Sequence, residues 1–368
     1  PRAAEEGTGM AELKYQELAQ RLRDELAGGT WPAGARLPTE DAMVVAYGVS
    51  KQTVRRAVGL LVDEGLLQRR QGSGTYAAGQ RRSPTRTIGV IATYLSEYIL
   101  PSMIRGIEEV TAAEGYRFLL RSTGNRMDRE RELLEYFLAN PVDGLIVEGA
   151  KTALPNQNLP LYRQLRAREI PVVFLSGWYP ALEQSVYVIT DDDAGGAMAA
   201  RCLLGHGHRR IGGIFKADDQ QGHRRFAGFA NACREQGVNL SDDCFAWYTT
   251  EQREGLLTGQ SEQAILRMLA PCTAVVCYND QIAAPLMASL LRAGRRVPED
   301  IAVISFDRSV YSDLTPVPLT SLAHPKEEIG RVAARKLLHM LHGRRERPAV
   351  LPWTLEERQS TAAEFKIV

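Results

Sequence analysis

The chain has 368 residues, of which 44% are hydrophobic and 24% are charged, and its formal net charge is +1. These values exclude a disordered chain, a collagen and a disulfide-rich mini-protein, and no uncharged run approaches the roughly 18 apolar residues that a membrane span requires. At roughly 100–200 residues per domain, the length predicts two or three domains.

The cysteines and the first residues predict the cellular compartment of the protein. The first ten residues are small and polar and lack an apolar signal core, so we expect a cytoplasmic protein without a membrane partner. The cysteines show no paired metal-site spacing, which is typical of reduced and mostly buried thiols. There are five of them: Cys202, Cys233, Cys244, Cys272 and Cys277.

Apolar residues at helical spacing predict three helices between residues 13 and 65. Thr39 and Ser50 are good N-caps for the second and third helices, and Gly48 ends the second. Two short helices joined in this way predict a helix-turn-helix, whose second helix would present its N-terminal side chains to base edges. These side chains are Lys51, Gln52, Thr53, Arg55 and Arg56.

A short β-hairpin is predicted next, with strands at residues 66–70 and 75–77. Arg69 and Arg70 lie at its base, and Gly72 and Gly74 lie at its tip. Glycine there lets the backbone approach a phosphate or enter a minor groove closely. Residues 36–86 contain nine basic and four acidic residues, which favours a polyanionic partner, although a solvated basic surface is the alternative.

Three motifs in this segment carry a family resemblance: RLPTE at residues 36–40, SKQTVRRA at 50–57 and RRQGSGTY at 69–76. Residues 10–78 resemble the winged-helix domain of GntR-family transcription factors, which implies operator DNA as a partner. The family usually has Arg where this chain has Lys51, so that contact is expected to be weaker. A helix-turn-helix used only for packing or protein contact is the alternative. The DNA-facing set is Arg36, Ser50, Lys51, Gln52, Thr53, Arg55, Arg56, Arg69, Arg70, Gln71, Gly72 and Gly74.

Residues 79–86 are predicted to be a linker, in which Pro84 disfavours a helix, so we expect a flexible tether. Beyond it, strand-like and helical segments alternate, which indicates βαβ units and parallel sheets arranged as two α/β lobes with a cleft between them. The predicted helices include 103–114, 129–139, 194–204 and 281–292. The predicted strands are 87–93, 117–122, 144–148, 172–176, 186–190, 211–215, 274–278 and 301–306.

Ligands of open α/β sheets bind beyond the carboxyl ends of the strands. The side chains found there mix carboxylates, amides, cations and aromatic rings, as a sugar requires for its hydroxyls and its C–H faces. The candidates are Tyr94, Glu97, Tyr98, Glu148, Trp178, Asp191, Asp192, Lys216, Asn279 and Asp307. We predict no catalytic group, no cofactor and no metal ligand, and we interpret His206 and His208 as turn residues.

Residues 87–360 resemble the effector domain of the LacI/GalR family, which is similar to periplasmic sugar-binding proteins. The supporting stretches are residues 87–91, 142–147, 207–212, 225–229, 277–280 and 297–307. The resemblance implies that Arg225, Asn279 and Asp307 bind the sugar. The family usually has Gly and Asp where this chain has Ser305 and Arg308, so the shape of that loop is expected to differ.

The combination of a GntR-type domain with a LacI-type domain resembles the arabinose-responsive repressors of Gram-positive bacteria. Residues 88–98 and 213–222 are especially similar to these repressors. This resemblance implies L-arabinose as effector and arabinose-utilisation genes as targets. The resemblance to LacI-type repressors implies a homodimer in which Met103, Ile104 and Ile107 make contacts. A regulator of another small sugar, a plain sugar receptor, and a carbohydrate enzyme using Glu148, Asp191 and Asp192 as acid and base remain alternatives.

Overall fold

The computed structural model describes residues 2–32, 34–70, 72–77, 84–95 and 98–362, with side chains from Lys14 onward except at residue 27. The chain divides between Thr85 and Arg86 into two compact units. Among the described residues, no helix has both the length and the apolar character needed to cross a membrane.

The first unit is a winged helix-turn-helix, as predicted. It contains helices α1 (Arg2–Ala27), α2 (Glu40–Tyr47) and α3 (Lys51–Asp63) and the antiparallel strands β1 (Leu67–Arg70) and β2 (Gly74–Ala77). Helix α1 begins well before the predicted residue 13.

The predicted caps of the helix-turn-helix form. Thr39 accepts a hydrogen bond from the backbone N–H of Ala42, and Ser50 accepts one from that of Thr53. Gly48 ends α2 in the left-handed conformation at φ 65°, which glycine adopts without strain. Apolar faces of the three helices and the hairpin enclose one core, which is why these short elements hold together.

The second unit has two lobes, each built on a six-stranded sheet, which confirms the predicted α/β class. The first lobe contains β3 (Thr87–Ala92), α4 (Leu100–Ala113), β4 (Arg117–Ser122), α5 (Met127–Ala139), β5 (Gly144–Glu148), α6 (Leu159–Ala167), β6 (Val172–Leu175) and β7 (Val186–Thr190). Its strand order is β4-β3-β5-β6-β7, followed at the far edge by a late strand, β13 (given below).

The second lobe contains α7 (Asp192–Gly205), β8 (Ile211–Lys216), α8 (Gln220–Glu235), β9 (Phe245–Tyr248), α9 (Gly259–Met268), β10 (Ala274–Cys277), α10 (Asp280–Arg292), β11 (Ala302–Asp307), α11 (Val310–Leu314) and β12 (Thr320–Ala323). Short 3-10 helices lie at Asp242–Cys244 and Thr250–Gln252. The last elements are α12 (Lys326–Leu341), β13 (Ala349–Leu351) and β14 (Thr354–Glu356).

The chain passes between the lobes three times. It crosses after β7, returns after β12 so that α12 packs on the first lobe, and crosses again between β13 and β14. Four strands were not predicted: β9, β12, β13 and β14. Each has only three or four residues and so gives little periodic signal, whereas the equally short β6 and β10 lie in longer apolar runs.

Helix α4 packs against α12, which contradicts two of the expected dimer contacts. Met103 and Ile107 are at most 1% exposed and belong to the core of the first lobe. Only Ile104 is partly accessible. The two helices approach closely because Gly106 and Gly330 lie where each faces the backbone of the other. The apolar spacing that suggested an intermolecular surface is therefore satisfied within one chain.

Helices α7 and α8 also meet through glycines. A Cβ at Gly196 would overlap the carbonyl oxygen of Arg225, and one at Gly228 would overlap that of Asp193. Side chains at either position would therefore push the helices apart. This contact fixes the distance between the start of α7 and the Arg225 turn of α8.

We predict that Gly196→Ala lowers the free energy of unfolding by about 1–3 kcal/mol, because the added methyl group forces the α7–α8 contact apart. Gly205→Ala is the matched control, since a Cβ at Gly205, in the same helix, would meet no atom within 4 Å. Urea unfolding of the two variants measures the difference. Equal stabilities would show that the contact is not tight.

Candidate functional site

A cavity of about 60 Å³ lies between the two lobes, at the carboxyl ends of their strands. Its small size and its many polar side chains suit a small polar ligand. Its apolar side is formed by Ile99, Leu100 and Met103. Its polar lining is Thr93, Tyr94, Glu148, Ser176, Lys216, Asp219, Gln221, Arg225, Tyr248, Arg253, Tyr278, Asn279, Gln281, Asp307 and His324.

Glu148 provides a carboxyl group on the first-lobe wall. One of its oxygens accepts hydrogen bonds from the backbone N–H of Thr93 at 2.7 Å and from the hydroxyl of Thr93 at 2.5 Å. Burial raises the pKa of Glu148, and the two bonds from Thr93 oppose that shift. The orientation of the carboxyl group toward the cavity is thereby set by its neighbour in the sheet.

Arg225 of the second lobe is fixed by hydrogen bonds and by contacts with aromatic rings. Its Nε donates to Asp192 at 2.9 Å, and its NH1 donates to the carbonyl oxygen of Tyr278 at 2.6 Å. The rings of Tyr278, Phe306 and Trp353 lie 4.5–4.9 Å from its guanidinium carbon. Burial alone would lower the pKa of Arg225, but the Asp192 carboxylate, together with Tyr278 and Asp307, more than offsets burial and raises it. The guanidinium therefore stays charged.

Lys216 provides a second cation at the end of β8. Its Nζ lies 2.5 Å from Asp219 and 3.7 Å from Asp218. Burial would lower the pKa of Lys216, but the two carboxylates raise it, so the ammonium group is retained. The cavity thus contains two buried cations, each held by its own acidic partners.

Asp307 joins the lobes directly. Its Oδ2 accepts a hydrogen bond from the hydroxyl of Tyr98 at 2.5 Å, and the Tyr98 ring packs edge-on against Tyr311. Asp307 has φ 97°, a conformation that Asp and Asn tolerate better than most residues. The side-chain oxygen of Asn279 caps α10 by accepting a hydrogen bond from the N–H of Ile282. The amide NH₂ of Asn279 is then the part of the side chain that can donate to a ligand.

Nine of the fifteen polar lining residues were not among the sequence-based candidates, and His324 and Gln281 are two of these nine. Among the described residues, no hydrogen-bond partner is found for the buried Nδ1 of His324 or the buried Oε1 of Gln281. Burial, then the charges of Arg225 and Lys326, lower the pKa of His324 to about 3, so the ring is neutral. His324 follows β12, and the strand-end rule would have identified it had that strand been recognised.

The structure places three predicted residues outside the cavity lining. Trp178 stacks on Tyr187 with ring centroids 4.1 Å apart. Asp191 caps α7, accepting from the backbone N–H of Ala194 at 3.1 Å. Asp192 acts through Arg225. These three follow predicted strands, but their side chains serve packing, capping and support of a cation.

Of the other candidates, the cavity lining includes Tyr94, Glu148, Lys216, Arg225, Asn279 and Asp307. Tyr98 reaches the cavity through Asp307. Glu97 lies outside the described residues.

Further hydrogen bonds close the rim of the cleft. Asn125 of the first lobe donates to Asp219 at 3.2 Å and to Thr250 at 2.7 Å. The ammonium of Lys151 lies 2.5 Å from a carboxylate oxygen of Glu251 in the second lobe. The lobes are therefore in a closed arrangement.

In the first unit, α3 exposes Lys51, Gln52, Arg55 and Arg56. Lys51 pairs with Asp41 at 2.7 Å, and Arg55 pairs with Glu40 at 2.7 Å. The guanidinium carbon of Arg56 lies 5.5 Å from the centre of the Tyr15 ring. These ion pairs are exposed and hence weak, so a phosphate can replace the carboxylates.

Thr53 differs from the prediction, because its side chain is buried and its hydroxyl bonds to that of Ser50 at 2.8 Å. Both residues therefore stabilise the start of α3, and Thr53 presents little surface to a base.

The wing carries the other predicted groups. Arg69 and Arg70 are exposed, and Arg70 lies 4.5 Å from the centre of the Tyr76 ring. Gly72 and Gly74 have φ 72° and 117°, which glycine tolerates. Arg36 forms an isolated bridge to Tyr76, which brings it beside the hairpin. Gln71 lies outside the described residues.

Two family descriptions match the chain. "Bacterial regulatory proteins, gntR family" matches residues 14–77, and "Periplasmic binding protein-like domain" matches residues 200–361. A LacI family transcriptional regulator from Enterococcus faecium, solved with bound ribose, is similar in structure. Its TM-score is 0.61 at 25% identity, over 75% of this chain and 98% of that chain.

Two relatives are similar over nearly the whole length of the chain, across both units. An arabinose metabolism transcriptional repressor of Halalkalibacterium halodurans is 36% identical over 341 residues, covering 91% of each chain. Another, of Geobacillus stearothermophilus, is 37% identical over 344 residues, covering 90% of this chain and 92% of that one. The chain therefore belongs to the family of ligand-responsive transcriptional repressors, with a GntR-type winged helix and a LacI-type sugar-binding domain, that includes these two proteins.

Proposed function

We propose that the chain represses arabinose-utilisation genes and leaves its operator when L-arabinose binds in the cleft. Residues 10–78 would bind DNA, residues 79–86 would be the tether, and residues 87–360 would bind the effector, in the cytoplasm, where bacterial DNA lies. The names of the two full-length relatives support this effector. The observation that carries the proposal is the small cavity lined by donors and acceptors from both lobes.

A sugar hydroxyl donates one hydrogen bond and accepts others, and the cavity offers partners for each. Gln281 has a buried Oε1 that requires a donor, and His324 has a buried Nδ1 that donates or accepts according to the ring tautomer. Arg225 and Lys216 donate, while Glu148 and Asp307 accept. Ile99, Leu100 and Met103 offer an apolar side to C–H groups. The cavity volume of about 60 Å³ disfavours a long sugar chain.

The two-lobed lining explains how such a ligand would control DNA binding. A ligand shifts a conformational equilibrium only by its differential affinity for the two states. A sugar contacting Glu148 on one lobe and Arg225 on the other binds the closed cleft better than the open one. In a dimer, closure would move the first lobes and change the spacing of the tethered winged helices.

The alternative that the protein is a carbohydrate enzyme requires two of Glu148, Asp191 and Asp192 to act as acid and base at the ligand. Asp191 caps α7, and Asp192 holds Arg225, so of the three carboxylates only Glu148 lines the cavity. We therefore propose that the ligand is bound without being transformed. Incubation with L-arabinose followed by chromatography tests this point, and the appearance of a product would overturn it.

We predict that Asp307→Asn binds operator DNA normally but needs at least about tenfold more L-arabinose for release, because a charge-assisted hydrogen bond worth about 1.5–3 kcal/mol is lost. Asparagine keeps the shape and tolerates the positive φ of Asp307. A titration of operator release with L-arabinose, read by fluorescence anisotropy, measures the shift.

Asp243→Asn is the matched control, because Asp243 is exposed in the 3-10 turn of the same lobe. Thermal unfolding of both variants checks their folding. A folded Asp307→Asn that releases DNA at wild-type sugar concentrations would contradict the proposed site. If another pentose but not L-arabinose released the operator DNA, the proposed binding site would stand and the proposed effector would be wrong.

We predict that Arg55→Ala and Arg56→Ala each weaken operator binding, at a cost of about 1–3 kcal/mol for a base contact. Loss of a base contact relaxes specificity at one position. Loss of a phosphate contact weakens binding to all sequences and lowers the salt slope by about 0.9. Gel-shift titrations at several salt concentrations separate the two.

Arg234→Ala is the charge-matched control for these variants, since Arg234 is exposed on α8 of the effector unit. Unchanged operator affinity in both α3 variants would show that α3 is not the recognition helix.

We also propose a homodimer, because a winged helix covers a short half-site and two half-sites match a two-fold assembly. Helix α11 exposes Val310 and Leu314, which lie one turn apart and are 55% and 74% exposed. We propose that a second copy covers this surface.

We predict that Leu314→Glu converts the dimer to monomers, because a buried unpaired carboxylate is costly at an interface. Leu154→Glu is the control, since Leu154 is also partly exposed but lies on the first lobe. Sedimentation velocity distinguishes the species. A Leu314→Glu protein that stays dimeric would exclude the α11 surface, and a monomeric wild type would exclude the dimer.

A further inference from the structure

Three potential metal ligands meet at the end of the second lobe opposite the cavity. Cys202 and His206 lie one turn apart at the end of α7, and Glu357 follows β14 in the C-terminal segment. The cysteine sulfur, a histidine ring nitrogen and a glutamate oxygen all lie within 4.8 Å of one another. Thiolate, imidazole and carboxylate are the ligands that Zn²⁺ prefers.

We propose that Cys202, His206 and Glu357 form a Zn²⁺ site that ties the C-terminal segment to the end of α7. Residues at i and i+4 project from the same face of a helix, so Cys202 and His206 converge without distortion. Cys202 is buried whereas His206 and Glu357 are exposed, so the protein would supply three ligands and solvent the fourth.

The atoms that would bind the metal are already oriented toward one another. His206 Nε2 and Glu357 Oε1 share a short hydrogen bond, and both offer lone pairs once a cation replaces the proton between them. The histidine then takes its Nδ1–H tautomer, with no net proton loss. The Cys202 thiol releases one proton to solvent as the Zn–S bond forms, so binding is stronger at higher pH.

Other contacts distinguish this cluster from its surroundings. His208, the second histidine of the turn, bonds instead to the hydroxyl of Thr273 at 3.0 Å. Burial raises the pKa of the Cys202 thiol to about 11, so without a metal it stays protonated at neutral pH.

The C-terminal segment is also bound to the core of the second lobe. The Ser360 hydroxyl donates to the carbonyl oxygen of Val303 at 2.5 Å, and the N–H of Arg358 donates to the hydroxyl of Thr320 at 2.8 Å. A metal at Glu357 would add a link from this segment to α7, whose other end holds Arg225 through Asp192. We therefore expect Zn²⁺ to stabilise the second lobe without touching the effector.

The test uses the full chain after removal of metals by a chelator, with Co²⁺ as a spectroscopic probe. We expect one Co²⁺ per chain, an ultraviolet charge-transfer band from cobalt–thiolate bonding, and tetrahedral visible bands. Zn²⁺ should displace the cobalt and raise the melting temperature. Cys202→Ser should abolish the charge-transfer band, and His206→Gln or Glu357→Gln should weaken binding.

His342→Gln is the matched control, because His342 is an exposed histidine at the end of α12 on the other lobe. It should leave the spectrum and the zinc-induced shift unchanged. Cobalt bound without a thiolate band, or a band that survives in Cys202→Ser, would mean an adventitious ion only and overturn the proposal. Absence of stoichiometric binding would also overturn it.

Discussion

The buried guanidinium of Arg225 is the constraint on which the effector unit depends. A charge in this position is tolerated only because Asp192 and the carbonyl of Tyr278 satisfy it, and loss of one partner of such a pair typically costs about 3–5 kcal/mol. The pair in turn requires α7 and α8 to lie in backbone contact, which the absent side chains of Gly196 and Gly228 permit. The packing of two helices thus places a permanent cation in the cavity.

Closure of the cleft depends on polar contacts around that cation. Tyr98 and Asp307 join the lobes beside the cavity, while Asn125 and Asp219 join them at its rim. Hydrogen bonds of this kind contribute about 0.5–1.5 kcal/mol each, so the closed and open forms differ by a modest free energy. A ligand that satisfies His324 and contacts both walls can therefore shift the balance, which is what a switch between DNA-bound and released states requires.

The DNA-binding unit follows local rules, and its sequence predicted most of it. Caps, glycines and apolar spacing identified α2, α3 and the wing within a few residues, because each signal acts through neighbouring backbone groups. The exception is Thr53, whose position near the start of α3 suggested a base contact. Its side chain is buried and bonds to the Ser50 hydroxyl, because its direction depends on how α3 packs in the core of this unit.

The sequence by itself determined the two kinds of unit, the longer parallel strands and the strand ends that line the cavity, since periodicity and chain order are local properties. Only the tertiary structure decided which strand-end side chains converge. It excluded Trp178, which stacks on Tyr187, and included His324, which follows a four-residue strand without a periodic signal. It also brought Cys202 next to Glu357, 155 residues later in the chain. Such convergence depends on crossings between lobes and on helix packing, which arise from contacts between residues far apart in sequence.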